Sequence, residues 1–292
     1  MLDDYKKHVD ERAELNIPPL PLDADQTSEL ISLLKEKNND PDYLLNLLKE
    51  RVPAGVDQAA YVKAAFLADI TTGNASSPYI SKIDAVEILG TMLGGYNVEP
   101  LIRCLEIEEL AETASHVLGR TLLIFDAFNE IFELSKKNKY AKKVIEEWAD
   151  AKWFTEKEDI KDQIKLTVFK VSGEINTDDL SPAPDAWSRP DIPLHALAMF
   201  KMPRTGLDDP LGTIEKLKEK GNPLVFVGDV VGTGSSRKSA TNSVLWHMGD
   251  EIPHIPNKKE GGYCFGGKIA PIFFNTLEDS GAFPIEMDVS KM

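Results

Sequence analysis

Cysteine is scarce in this chain: two in 292 residues, Cys104 and Cys264, far apart and neither in a C-x-x-C. That excludes a disulfide framework and gives no basis for a thiolate metal site, so both read as reduced thiols. Long apolar runs are missing as well. No stretch approaches the ~20 residues of a membrane span. The opening Met-Leu-Asp-Asp-Tyr-Lys-Lys-His has no signal-peptide pattern, and the expectation is a cytoplasmic protein without a membrane partner. Basic charge is in deficit: 33 Lys and Arg against 48 Asp and Glu leave a net charge of −15, which excludes a general nucleic-acid surface. A local positive pocket for an anionic metabolite remains open, provided specific residues build it.

What is present suits an ordinary globular protein. Hydrophobic residues make up 42% of the chain, enough over this length for a core in each of two domains. From about Asp25 to Trp153 the pattern reads helix after helix: Ser28–Glu36, Asp40–Arg51 with Asp40 as N-cap and Pro41 in the first turn, Val56–Ile70, Ile83–Leu93, Val98–Leu105, Glu108–Leu118, Thr121–Leu134 and Ala141–Trp153. Short helices joined by short turns, with no strand pattern and no strict repeat, predict an α-solenoid of HEAT-like kind. Such a scaffold serves a protein partner or a homodimer more readily than catalysis. His116 and Asn129 read as helix surface or satisfied core groups and not as ligands; Phe66, Phe125, Phe128 and Phe132 read as core.

The pattern changes at the charged run Glu156–Asp162, which places the domain boundary between residues 157 and 158. Beyond it, Ile164–Val171 alternates as a half-buried strand. Helices are expected near Pro193–Lys201 and Leu211–Lys220, and β-like runs at Ile269–Asn275 and Phe283–Val289, making an α/β domain.

The densest signal lies within that domain. Pro223–Val227 reads as a short buried strand, followed by Gly228-Asp-Val-Val-Gly-Thr-Gly-Ser-Ser-Arg-Lys-Ser239 and then a helix. Strand, glycine turn and helix start would bring free N–H groups and the positive helix end to Ser235–Arg237. Gly232 and Gly234 permit positive φ and close approach of a ligand, and Arg237 adds a fork matched to carboxylate or phosphate. Two other readings compete. Ser235 and Ser236 could simply cap the helix. Gly232–Ser239 also has the length and ending of a P-loop, G-x-x-x-x-G-K-S/T, but Arg237 occupies the second glycine's place and obstructs the phosphates. A second constellation, Gly173–Asp191, is rich in Asp, Ser and Pro and reads as a loop at a strand's end, able to hold Arg189 over a site. Taken alone, Asp178, Asp179 and Ser181 could be mere turn formers. Two distant loops, each with an arginine and hydroxyls, favour a polycarboxylate pocket.

Asn176-Thr-Asp-Asp-Leu-Ser-Pro-Ala and Gly232-Thr-Gly-Ser-Ser-Arg together resemble the T-D-x-I/L-S and G-x-G-S-S-R motifs of the aconitase superfamily's swivel domain. A helical domain ahead of the swivel domain is similar to the bacterial aconitase B branch. Trp187–Met199 and Gly266–Thr276 match that branch closely, and the whole chain resembles its amino-terminal third or so. The resemblance implies a HEAT-like domain over 1–157 and a β/β/α swivel domain of the aconitase domain 4 type over 158–292. It implies a hydro-lyase interconverting citrate and isocitrate through cis-aconitate in the tricarboxylic acid cycle. Ser235 would be the base, and Ser235, Ser236, Arg237 and Arg189 would bind the tricarboxylate, supported by Asp178, Ser181, Gly232 and Gly234.

The family's 4Fe–4S cluster needs three cysteines, which this chain does not supply. The chain is therefore expected to bind no cluster, to be inactive alone, and to be either a piece of a longer enzyme or a separate subunit working with the remaining aconitase domains; its ending at Lys291-Met292 favours the former. RNA binding by a cluster-free form finds no support in the acidic composition. From a different class comes the alternative of a non-catalytic regulatory protein, a solenoid joined to an anion-sensing domain. Whether 2-methylisocitrate is a substrate depends on pocket residues outside the chain.

Overall fold

The computed structural model describes residues 2–121, 127–156 and 161–292. Phe125, part of the predicted helix Thr121–Leu134, and the predicted boundary at 157/158 lie outside the described residues. The chain packs as two compact units, one of Met1–Lys7, Leu20–Ile160 and Pro253–Pro256, the other of His8–Pro19, Lys161–Ile252 and Asn257–Met292.

The first unit is helical, and of its opening helix only the residues up to Lys7 belong to it. After α1 (Leu2–Ala13) come α2 (Ala24–Leu34), α3 (Pro41–Asn46), α4 (Gln58–Thr72), α5 (Lys82–Gly90), α6 (Val98–Cys104), α7 (Ala111–Leu118), α8 (Phe128–Ser135), α9 (Lys139–Asp150) and α10 (Lys152–Thr155). Local chemistry sets many of the ends. Asp23 and Ser81 start α2 and α5 with reciprocal capping boxes, Asn138 caps α9, and Gly73 closes α4 in the left-handed conformation. Pro41 sits in the first turn of α3 as expected, but Asp40 makes no side-chain cap, and the helix widens into a π-turn over Leu47–Arg51. Packing runs from α2 to α4, α4 to α5, α5 to α7 and α7 to α9. α1 escapes the sequence pattern because its twelve residues are mostly charged. Phe66 is core, but Phe128 and Phe132 are each 44% exposed, a correction to the expectation. Spacing of four residues fixes a shared helix face and leaves open which way that face points. His116 and Asn129 are on the surface, the first of the two places open to them.

The second unit is built on a parallel sheet. Strands β1 (Thr167–Asn176), β2 (Leu224–Thr233), β5 (Tyr263–Ile269) and β6 (Phe283–Glu286) lie in that order, and β3 (Asp250–Glu251) and β4 (Lys259–Glu260) form a separate antiparallel pair. Helices α11 (Thr177–Leu180), α12 (Ala183–Ser188), α13 (Ile192–Ala196) and α14 (Pro210–Lys218) follow β1; α15 (Lys238–Met248) follows β2; α16 (Pro271–Asp279) follows β5. Phe169, Phe226, Val231, Val244, Phe273 and Leu277 fill the core on one sheet face. Val225 and Val227 point to the other, where they pack with Val289.

Three expectations are corrected. β2 runs on to Thr233 and does not stop at Val227, because the Gly228–Val231 backbone pairs with both β1 and β5. Ile269–Asn275 is the end of β5 and the start of α16: Pro271 preorganises a first helical turn, and Phe273 and Leu277 bury one helix face. Gly173–Asp191 is no plain loop. β1 continues to Asn176, and α11 and α12 follow, because Asn176 and Asp179 close a capping box that turns the acidic run into helix.

Candidate functional site

Where β2 ends, the chain must leave the sheet. Ile175 pairs with Val231 and Asn176 with Thr233, so Gly232 is one residue too many on β2, a bulge. Its φ is +79°, and a Cβ there would lie 2.2 Å from the Phe273 ring, so only glycine fits. Gly234, at φ +91°, turns the chain again. Ser235 and Ser236 come next, both exposed, and α15 begins at Lys238 with Arg237 as its N-cap.

No side chain caps α15, so Ser235 and Ser236 are not helix caps. The Arg237 N–H donates to the Ser235 carbonyl at 2.9 Å, so it is not among the free N–H groups expected at the turn. Both serine hydroxyls are without a partner among the described residues. They line a cleft of about 120 Å³ with Thr177, Gly232, Gly234, Arg237 and residues 270–273 and 276 of α16 and its lead-in.

Arg237 is held in place. Its Nη1 donates to Asp178 Oδ1 at 2.5 Å and to the Ser181 carbonyl at 2.8 Å. Its Nε and Nη2 have no partner among the described residues, so part of the fork can take an anion. The Arg237 hydrogen bond holds the Asp178 carboxyl below its ordinary range, and the Ala183 N–H adds to that. Ser181 donates its hydroxyl to Ser239 Oγ at 2.9 Å, tying α15 to the segment after β1. Asp178, Ser181, Gly232, Gly234, Ser235, Ser236 and Arg237 thus come together from two stretches some sixty residues apart.

Arg189 stands elsewhere. Its Nε donates to Asp185 Oδ1 at 3.1 Å, and it does not line the cleft. Asp185 also accepts from Lys201, whose hydrogen bond contributes most to lowering its carboxyl, with Arg189 second. Of the four expected substrate-binding residues, the structure groups three and sets Arg189 apart.

Sequence reading missed Thr177, whose Oγ is buried beside the cleft without a partner among the described residues, although it opens the T-D-x-L-S motif. It also missed Arg204, which no local pattern marks. Neither cysteine suits a cluster. Both are buried core thiols, and burial pushes Cys264 up to about 12 and raises Cys104. Among the described residues no group of three His, Cys, Asp or Glu is placed to hold a metal, and no helix is long and apolar enough to cross a membrane.

Residues 4–154 match the family described as the aconitate B N-terminal domain, and residues 166–292 match the aconitate hydratase 2 N-terminus. Aconitate hydratase B of Escherichia coli (strain K12) is 58% identical over 301 residues, covering 100% of this chain and 35% of the relative. The aconitate hydratase B of Synechocystis is 58% identical and that of Helicobacter pylori 51%, each over 100% of this chain and 34% of the relative. The chain spans about a third of the length of the curated relatives it matches. With one family covering its helical part and another its α/β part, the chain belongs to the aconitase B family.

Proposed function

We propose that this chain supplies the serine base and carboxylate-binding arginines of an aconitate hydratase that interconverts citrate and isocitrate through cis-aconitate. The observation that carries the reading is the Ser235–Arg237 cleft, where two hydroxyls without a partner among the described residues share a glycine-built turn with a guanidinium that is anchored at one nitrogen and, among those residues, open at the others. Serine is a weak base in water. Beside a fixed guanidinium its alkoxide is favoured, and Ser235 Oγ can take the proton from the carbon α to a substrate carboxylate. Ser236 and Arg237 hold carboxylates, Arg189 holds a further one, and Asp178 and Ser181 fix Arg237.

The 4Fe–4S cluster implied by the family belongs to the rest of the enzyme, since the cysteines here do not suit it. The helical part, 1–157, is a HEAT-like solenoid that docks a partner or a second copy. The part from 158 on is the swivel domain, in a cytoplasmic enzyme. RNA binding by a cluster-free form is left without support by the net charge of −15.

The test is cis-aconitate formation by the complete, anaerobically reconstituted enzyme with and without Ser235→Ala. Activity should fall at least about a hundredfold while citrate binding persists, the range expected for a lost acid–base group. Full activity in the variant sinks the assignment. No activity in the reconstituted parent favours the regulatory alternative.

A further inference from the structure

Arg204 lies outside every helix and strand, yet its guanidinium ties together two segments that lead into the cleft. Nη2 donates to the Ser172 carbonyl at 2.8 Å and the Glu174 carbonyl at 2.5 Å, the two carbonyls flanking Gly173. There β1 carries its own irregularity: Val171 pairs with Gly228 but Glu174 with Val230. Nη1 donates to Asp179 Oδ2 at 3.2 Å. That carboxylate also accepts the Asn176 N–H at 2.9 Å, while Asn176 Oδ1 accepts the Asp179 N–H at 2.9 Å. One guanidinium therefore clasps the bulge of β1 and the capping box that starts α11.

The anchors of Arg237 lie on and just after that short helix. Asp178, one residue before Asp179 on the single turn of α11, holds Arg237 through its carboxylate. The Ser181 carbonyl, the second anchor, sits at the end of the turn, where the Ser181 N–H donates back to the Thr177 carbonyl at 2.9 Å. Glu174, whose carbonyl Arg204 grips, accepts the Thr233 hydroxyl at 2.7 Å, beside the glycine turn. A four-residue helix has too few internal bonds to hold its own orientation. Its direction has to come from outside, and Arg204 provides it by bridging the β1 bulge and the capping box.

We propose that Arg204 is a positioning residue for the tricarboxylate site, acting through Asp179 and α11 to hold Asp178, and so Arg237, in place. This rests on the reading of Ser235–Arg237 as a carboxylate site, but its geometry can be tested without substrate. Three acceptors spread around one fork suit a guanidinium and not an ammonium, so Arg204→Lys keeps the charge and loses the clasp. Asp179→Asn retains an acceptor for the Asn176 N–H while weakening the Arg204 bond, and serves if the first variant folds poorly.

Two readouts are needed on this chain. Nitrogen-15 NMR of the Arg237 guanidinium should resolve separate Nη signals in the parent, because Nη1 is held, and should show one averaged signal in Arg204→Lys and Asp179→Asn. Citrate titration should weaken at least about fivefold in both variants, the scale of one lost positioning hydrogen bond, with thermal midpoints close to the parent's. Resolved Nη signals that persist in both variants, or an averaged signal in the parent, overturn the proposal. Collapse of the signals in the variants, in a parent that binds no citrate, upholds the positioning role and removes the proposed function instead.

Discussion

Arg237 and Arg189 are both met by an aspartate in the α/β unit, yet their surroundings differ. Arg237 commits one nitrogen to Asp178 and the Ser181 carbonyl and stands in a cleft beside hydroxyls that have no partner among the described residues. Arg189 pairs through Nε with Asp185, a carboxylate it shares with Lys201. An arginine anchored at one end and open at the other is preorganised for an anion. One whose counter-charge is divided with a second cation is held less firmly, because each cation gets part of one carboxylate. Both residues lie in motifs of the same family, and only their partners tell them apart.

The largest expected effect breaks this comparison directly. In the complete enzyme Arg237→Gln should raise the KM for citrate about 10- to 100-fold, corresponding to about 1.5–3 kcal/mol for a charge-assisted hydrogen bond. Arg189→Gln should raise it by less than about tenfold, the lower end of that range. Steady-state kinetics of the two variants decide it, and an equal or reversed ranking means that the contacts seen for Arg189 are not those it makes with substrate bound.

Next comes the turn that presents Arg237. Gly232→Ala sets a Cβ against the Phe273 ring at a positive φ, and should cost about 1–3 kcal/mol of stability. Thermal denaturation of this chain reads it, and a melting temperature equal to the parent's would show that the bulge can relax.

Smallest is the pH effect. Asp178 and Asp185 both have carboxyls lowered from 3.8. A carboxyl lowered by folding contributes stability above its unfolded value, and that contribution disappears as pH falls through the lower folded value. Both anchors should therefore remain ionised down to pH 3.8 and be lost only below it. Asp178→Asn should be less stable than the parent near neutrality, and the difference should shrink as pH falls below 3.8, measured by unfolding across that range. A difference that persists undiminished in acid would assign Asp178 a role other than its charge.

Much of this was legible in the residues. Leucines at helical spacing place α2 and α3. Gly232, Gly234, Ser235, Ser236 and Arg237 read as an anion-binding turn because glycine freedom, hydroxyls and a guanidinium are properties of the residues themselves. β5 was not legible, since Gly266 and Gly267 interrupt its apolar alternation and its place depends on pairing with β2 and β6. The exposed rings of Phe128 and Phe132 were misread for a related reason: periodicity gives a face and not its neighbour.

The sequence alone thus determined the order of the parts and the chemistry available at the β2–α15 turn, both of which depend on residue type and short-range spacing. Tertiary structure decided that Asp178 meets Arg237 across 59 positions, that Arg204 clasps α11 and that Arg189 stands apart. Those contacts depend on sheet register and on two bulges, each of which shifts a side chain by a whole residue, and long-range pairing of that kind leaves no mark in local pattern.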